Sequence, residues 1–279
     1  MPHVLVLQHP DIASCDLSDF PKLAPYSERV VRIDVPAGFV LPEAAKAILA
    51  RQQIDYALLP DQSFADLGLI VSDMDSTLIT IECVDEIADA VNKKEEVAAI
   101  TEAAMQGLIS DYKESLRQRV ALLEGVPESA LQQIYDERLH LNPGVEALIQ
   151  ACKNAGLKIL LVSGGFTFFT ERIRQRLGID FTRANLLEVV DGQLTGRMID
   201  QAWGDICDGA EKARTLLEVA TLMGIPPEQT IAMGDGANDL KMMAVAGLSV
   251  AYHAKPAVRN QAMVAINEGG LDRLLEVLG

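Results

Sequence analysis

Leu67-Gly-Leu-Ile-Val-Ser72, followed by Asp73-Met74-Asp75-Ser76-Thr77, is the stretch whose reading decides the fold. A short apolar run with no polar alternation reads as a strand buried on both faces. Two carboxylates emerge where it ends. Residues i and i+2 of extended chain point to the same side, so Asp73 and Asp75 converge on one place. Carboxylates that close repel unless a cation or a shared proton compensates. The crevice at the carboxyl ends of a parallel sheet is where α/β proteins bind ligands.

Outward from this strand, the chain alternates helix and strand. The sequence predicts helices at 145–155 and 168–177, each closed by a glycine, Gly156 and Gly178. It predicts strands at 158–162, 230–233 and 248–251, helices at 210–223, 239–246 and 271–278, and a short strand at 264–266. Asp191-Gly192 between two apolar runs predicts a hairpin with a type I′ turn. Strands spaced by helices imply an α/β protein with a parallel sheet covered on both faces. The stretch from Val84 to Leu139 has helical periodicity only, broken at Gly107 and Gly125. It reads as three or four short helices inserted over about 80–142, ended by Pro143-Gly144.

Residues 1–66 read as a separate small α+β unit, with 67–279 forming the main domain. Strands are expected at 4–7, 30–35 and 54–59, a helix at 42–53 with Pro42 in its first turn, and a linker at 60–63. No catalytic constellation is visible there. A docking or dimerising appendage is as good a reading as a ligand sensor.

Bulk properties narrow the function. A formal charge of −16 provides no basic footprint for nucleic acid and disfavours an anionic membrane surface. Apolar residues make up 49% of 279, enough to bury a full core. The four cysteines, Cys15, Cys83, Cys152 and Cys207, are widely spaced and form no CxxC pair, so free thiols in a reducing compartment are expected. Met1-Pro-His-Val lacks the basic start and apolar core of a cleavable signal. No apolar run approaches the roughly 18 residues that span a bilayer. A cytoplasmic protein is the expectation.

Three further elements join the Asp73 strand. Ser163-Gly164-Gly165 follows the 158–162 strand, Gly234-Asp235-Gly-Ala-Asn238-Asp239 follows the 230–233 strand, and Lys212 lies early in the helix between them. Each alone has a bland reading: a turn, a tight loop, a solvated lysine. Together and in this order, Asp73-x-Asp75-x-Thr77, Ser163, Lys212 and Gly234-Asp235-xxx-Asp239 resemble the haloacid dehalogenase (HAD) superfamily of phosphotransferases. The resemblance covers about residues 67–279. It implies a Rossmann-like parallel sheet of HAD type, with the helical insert as a type-1 cap after the first strand.

Within that superfamily, Glu82-Cys-Val-Asp-Glu-Ile-Ala88, Ser115-Leu-Arg-Gln-Arg119-Val120 and Val162-Ser-Gly-Gly-Phe166 are similar to the branch that acts on phosphoserine. This implies Mg²⁺-dependent hydrolysis of O-phospho-L-serine to L-serine and phosphate, the last step of serine biosynthesis, through an aspartyl-phosphate. It also implies roles. Asp73 is the nucleophile and Asp75 the general acid and base. Ser163, Gly164 and Lys212 hold the phosphoryl group. Asp73, the Asp75 backbone carbonyl and Asp235 bind Mg²⁺, supported by Asp239, and Asn238 contacts substrate or phosphate. Glu82 meets the substrate ammonium and Arg119 its carboxylate, with Arg117 the competing choice. Met105 and Tyr112 line the cap side of the pocket.

Elementary chemistry agrees. Phosphate esters hydrolyse very slowly unaided, so strong charge stabilisation is required. A carboxylate nucleophile splits the reaction into two easier steps. A seryl alkoxide leaves poorly without a proton. The backbone amides of Gly164 and Gly165 stabilise phosphoryl oxygens if they open the following helix.

The bland readings are that Glu82 caps the next helix, that Arg119 is a surface residue pairing Glu114 or Ser115, and that Met105 and Tyr112 are plain cap core. Three rivals stand beside the main reading. One is a phosphatase for another small phosphorylated metabolite, such as phosphothreonine or phosphohomoserine. Another passes the phosphoryl group to an acceptor other than water. The third is a non-catalytic amino-acid sensor. The N-terminal unit matches, in position only, ACT-like regulatory domains, so serine feedback and a homodimer are further expectations.

Overall fold

A computed structural model describes residues 3–18, 20, 27–105 and 111–278. In chain order the elements are β1 (His3–Gln8), β2 (Val30–Val35), α1 (Glu43–Arg51), β3 (Asp55–Pro60), β4 (Leu69–Ser72), α2 (Cys83–Asp89), α3 (Lys94–Met105), α4 (Tyr112–Ala121), α5 (Glu128–Glu137), α6 (Val145–Ala155), β5 (Lys158–Phe166), α7 (Thr167–Leu177), β6 (Phe181–Val190), β7 (Gln193–Ile199), α8 (Gly209–Met223), β8 (Thr230–Gly234), α9 (Leu240–Val245), β9 (Leu248–Tyr252), α10 (Pro256–Arg259), β10 (Val264–Ile266) and α11 (Arg273–Leu278). The α/β class holds, and the elements described within the insert are helices. Pro42 is the N-cap of α1, in extended conformation, and does not enter its first turn. The helix expected at Asp239 begins at Leu240, because Asp239 completes a preceding 3₁₀ turn.

The chain forms two compact units, each assembled from separate segments. The first comprises residues 1–70, 143–158 and 220–279. Its strands run in the order β2-β1-β3-β10-β9-β8. β1 pairs antiparallel with both β2 and β3. β3 meets β10 antiparallel at Ala57–Val264, and β10, β9 and β8 are parallel. Leu5, Leu7, Val31, Ile33, Leu49 and Ile54 bury one face of the antiparallel part.

Asp55 ties β3 to the turn after β10. Its carboxylate accepts from the Asn267 amide and the Asn267 side chain, both at 2.7 Å, and from the Glu268 amide at 3.0 Å. Bonds to a charged acceptor contribute more than neutral ones, and unpaired buried amides are costly. Asp55→Ala therefore lowers unfolding stability by about 3 kcal/mol in a urea titration. An unchanged midpoint contradicts that account.

The second unit comprises residues 71–142 and 159–219. β4 carries the chain into it: Leu69 and Ile70 belong to the first unit, Val71 and Ser72 to the second, and all four are buried. Here β5 and β6 are parallel, and β6 turns back antiparallel into β7. Asp191 at φ 51° and Gly192 at φ 74° make the turn, as a type I′ hairpin requires. α2 to α5 form the insert. Among the described residues, no helix is long and apolar enough to cross a membrane.

Candidate active site

In the second unit, β4 ends in a loop wound around the Met74 carbonyl, which accepts from the amides of Thr77, Leu78 and Ile79. Asn142 holds the same loop, donating to the carbonyls of Ser76, Thr77 and Ile79 at 2.9–3.3 Å. The loop presents Asp73 and Asp75, both buried. Lys212, fully buried near the start of α8, places its Nζ 2.7 Å from Asp73 Oδ1. The bland reading of Lys212 as a solvated helix residue is not what is seen: it is the counter-charge of Asp73. Asp208 sets its position, because the Asp208 carbonyl accepts from the Lys212 amide and its carboxylate from the Glu211 amide.

Asp75 sits differently. Burial, reinforced by the neighbouring Glu82 carboxylate, pushes its carboxyl up to about 8. One oxygen accepts weakly from the Cys83 amide at 3.4 Å. The other is buried without a hydrogen-bond partner among the described residues. Two carboxyl groups two residues apart thus have opposite characters: one is charge-paired, the other is kept neutral around pH 7. That division is what acid–base and nucleophilic work require of a carboxyl pair.

Ser163, Gly164 and Gly165 fall within the end of β5, where its parallel register with β6 breaks between Val162 and Phe166. This corrects one expectation. α7 starts only at Thr167, so the two glycine amides do not open a helix, and the Gly165 amide donates to Ser163 Oγ at 2.8 Å. A Cβ on Gly165 would lie 3.0 Å from Asp75 Oδ2, so a larger residue crowds the acid. Asn185, fully buried on β6, donates to the Gly164 carbonyl and accepts from the Cys207 amide, both at 2.8 Å. Sequence reasoning missed Asn185 and Asn142. Their only signal is an amide side chain beside an apolar strand or a Pro-Gly, which many loops share.

The insert contributes four further groups. Glu82 makes no capping bond to α2, although it occupies the N-cap position, so the bland reading of it as a cap is not what is seen. Instead Ser76, held at φ 56°, donates its hydroxyl to Glu82 Oε1 at 2.6 Å. Arg117 is held by Asp205 at 2.7 Å and lies half exposed. Arg119 is partly buried, and its Nε donates to the Ser115 carbonyl at 3.4 Å. Tyr112 begins α4, and its hydroxyl oxygen occupies the place a Cβ on Gly164 would take. The Met105 side chain lies outside the described residues.

In the first unit, β8 ends at Gly234 and leads into Asp235 and a 3₁₀ turn, Ala237–Asp239. Asp239 is fully buried, and its carboxylate accepts from the Gly236 amide at 3.1 Å. A Cβ on Gly234 would fall on that carboxylate, and one on Gly236 on the Asn238 side chain. The two glycines are therefore required by the side chains that follow them. The Asp235 carbonyl accepts from the Lys255 amide at 3.3 Å. Asp73, Asp235 and Asp239 are carboxylates able to offer one oxygen each to a metal ion. An all-oxygen anionic donor set suits a hard divalent cation.

Comparison with known proteins agrees with this geometry. A family model described as haloacid dehalogenase-like hydrolase matches residues 70–244. A curated phosphoserine phosphatase of Polaromonas sp. strain JS666 is 71% identical over 219 residues, covering 78% of this chain and 93% of that protein. A crystal structure of a HAD-family hydrolase from Salmonella enterica serovar Typhi is similar along 100% of this chain and 99% of its own, with TM-score 0.86 and 31% identity. A phospho-aspartyl intermediate analogue of phosphoserine phosphatase is similar over 76% of this chain and 99% of its own, with TM-score 0.70 and 38% identity. With a family model spanning more than half its length and a relative this similar, the chain belongs to the haloacid dehalogenase-like hydrolases.

Proposed function

We propose that this protein hydrolyses O-phospho-L-serine to L-serine and phosphate, with the phosphoryl group carried transiently on Asp73. The observation that carries the reading is a buried, lysine-held Asp73 two residues from a buried Asp75 whose carboxyl is pushed up by burial and by Glu82. The named activities of the relatives support it.

Ser163, the Gly164 amide and Lys212 bind the phosphoryl oxygens and offset their charge. An Asp73 oxygen attacks phosphorus, and the bond from phosphorus to the serine oxygen breaks. Asp75 gives its proton to that departing oxygen, so serine leaves as an alcohol. The Asp75 carboxylate then takes a proton from water as the water attacks the aspartyl-phosphate. Phosphate is released, and both carboxyl groups regain their starting states. Mg²⁺ fits the oxygen donors of Asp73, Asp235, the Asp75 carbonyl and the supporting Asp239, and would supply positive charge to the phosphoryl oxygens. Asn238 is assigned to substrate or phosphate.

Selection of an amino acid needs an anion and a cation apart from the phosphoryl site. Glu82, oriented by Ser76, takes the ammonium, and Arg119 takes the carboxylate. Arg117 is the weaker choice, because Asp205 already holds it. Four free thiols suit a reducing, cytoplasmic setting.

Phosphate release from phosphoserine, phosphothreonine, phosphohomoserine and p-nitrophenyl phosphate, with Mg²⁺ and with EDTA, tests the reading. Phosphoserine should be fastest, and EDTA should stop all four. Faster release from another substrate overturns the assignment. Glu82→Gln should cut kcat/KM for phosphoserine about 10–100-fold, the worth of a hydrogen bond to a charged group. Its p-nitrophenyl phosphate activity should stay within about threefold, since that ester has no ammonium to recognise.

A further inference from the structure

We propose that the Tyr112 hydroxyl is a catalytic group supplied by the insert, donating a hydrogen bond to the phosphoryl group held by Ser163, Gly164 and Lys212. The inference rests on the reading of this place as a phosphoryl site, and adds to it a donor from the insert.

Tyr112 is the first residue of α4, and the turn that begins this helix is fixed. The Asp111 carboxylate accepts from the Lys113 amide at 3.0 Å, and Lys113 Nζ in turn holds Asp205 at 2.6 Å. The phenol is therefore delivered from an anchored helix end. Its hydroxyl oxygen stands where Gly164 has no side chain. Any other residue at 164 would expel it, so the glycine and the phenol are fitted to each other. The Gly164 carbonyl already accepts from Asn185.

The surrounding charges indicate what the hydroxyl is for. Burial pushes the phenol's pKa well above its ordinary value, while Lys212 and Arg119 draw it down and Asp73 opposes them. The group stays protonated and is a donor at any working pH. The hydroxyl stands against Gly164, within the Ser163–Gly164 stretch assigned to the phosphoryl group, and two cations and the nucleophile act on it. A plain aromatic wall would need only the ring, since a phenylalanine buries nearly the same apolar area. The oxygen is the extra atom, and it fills the space that Gly164 leaves.

Tyr112→Phe separates the two roles. Inorganic phosphate, as inhibitor of p-nitrophenyl phosphate hydrolysis, probes the phosphoryl contact without any amino-acid group. The inhibition constant should rise about tenfold, with a similar fall in kcat/KM on both p-nitrophenyl phosphate and phosphoserine. An inhibition constant within twofold of the parent overturns the proposal. So does a loss confined to phosphoserine, which would assign the hydroxyl to the amino-acid end. If the variant unfolds earlier than the parent, p-aminophenylalanine at 112 restores a donor on the same ring. Phosphate affinity must then recover, and failure to recover also overturns the proposal. Parent protein that hydrolyses p-nitrophenyl phosphate but ignores phosphoserine refutes the substrate and leaves this test intact.

Discussion

Asp73→Asn keeps its fold and releases phosphate at about 10⁻⁴ of the parent rate or less, the scale on which removing a covalent nucleophile acts. The amide is close in shape to the carboxylate and keeps an oxygen facing Lys212, whose Nζ lies 2.7 Å from Asp73 Oδ1. What it lacks is a nucleophilic oxygen. Acid-quenched turnover with labelled phosphoserine checks this directly. Label should be recovered on the parent chain and be absent from the variant. Equal rates, or label on the variant, would remove Asp73 from its role.

Lys212→Met should act on both stability and rate. The lysine is fully buried and its partner nearly so. Removing one member of a buried pair strands the other, at a cost of about 3–5 kcal/mol. Measured by urea unfolding in EDTA, the single variant should lose that amount. The double variant Asp73→Asn with Lys212→Met should recover most of it, because no isolated charge remains. Such non-additivity is the mark of direct coupling. Turnover should fall by roughly 10³-fold, as when a preorganised donor to developing charge is removed. A Lys212→Met protein as stable as the parent, or strictly additive losses, would contradict the pair as described.

Much of this was legible in the sequence, for identifiable reasons. Leu69–Ser72 read as a buried strand because all four side chains are apolar or small, and β4 buries all four. Asp191-Gly192 read as a type I′ turn because few other pairs tolerate two positive φ angles. The Gly234–Asp239 loop was visible because its glycines are dictated locally, by side chains a few residues on. What escaped depends on distant partners. Asn185 acts on Gly164 and Cys207, both about twenty residues away along the chain. Asn142 serves carbonyls on the far side of the insert. Nothing in the local pattern distinguishes such amides from ordinary loop residues. The burial of Lys212 also escaped, since helix periodicity says which face a residue occupies and not what covers it. The pattern of the resemblance favours Arg119 over Arg117; the ion pair that Arg117 makes with Asp205, far along the chain, has no local signal.

The loop where the insert departs and returns has a consequence for protein engineering. Asn142 binds three carbonyls of the departing loop, the Thr80 amide meets the His140 carbonyl, and Ile79 bridges Leu141. The long excursion between these points therefore starts and finishes at one clasp. Loop-closure entropy grows only slowly with length once the ends are fixed. Helical inserts of quite different size should be exchangeable at the clasp while β4 still delivers Asp73 and Asp75. Recombination at this joint would transplant selectivity for the leaving group and keep the chemistry of phosphoryl transfer.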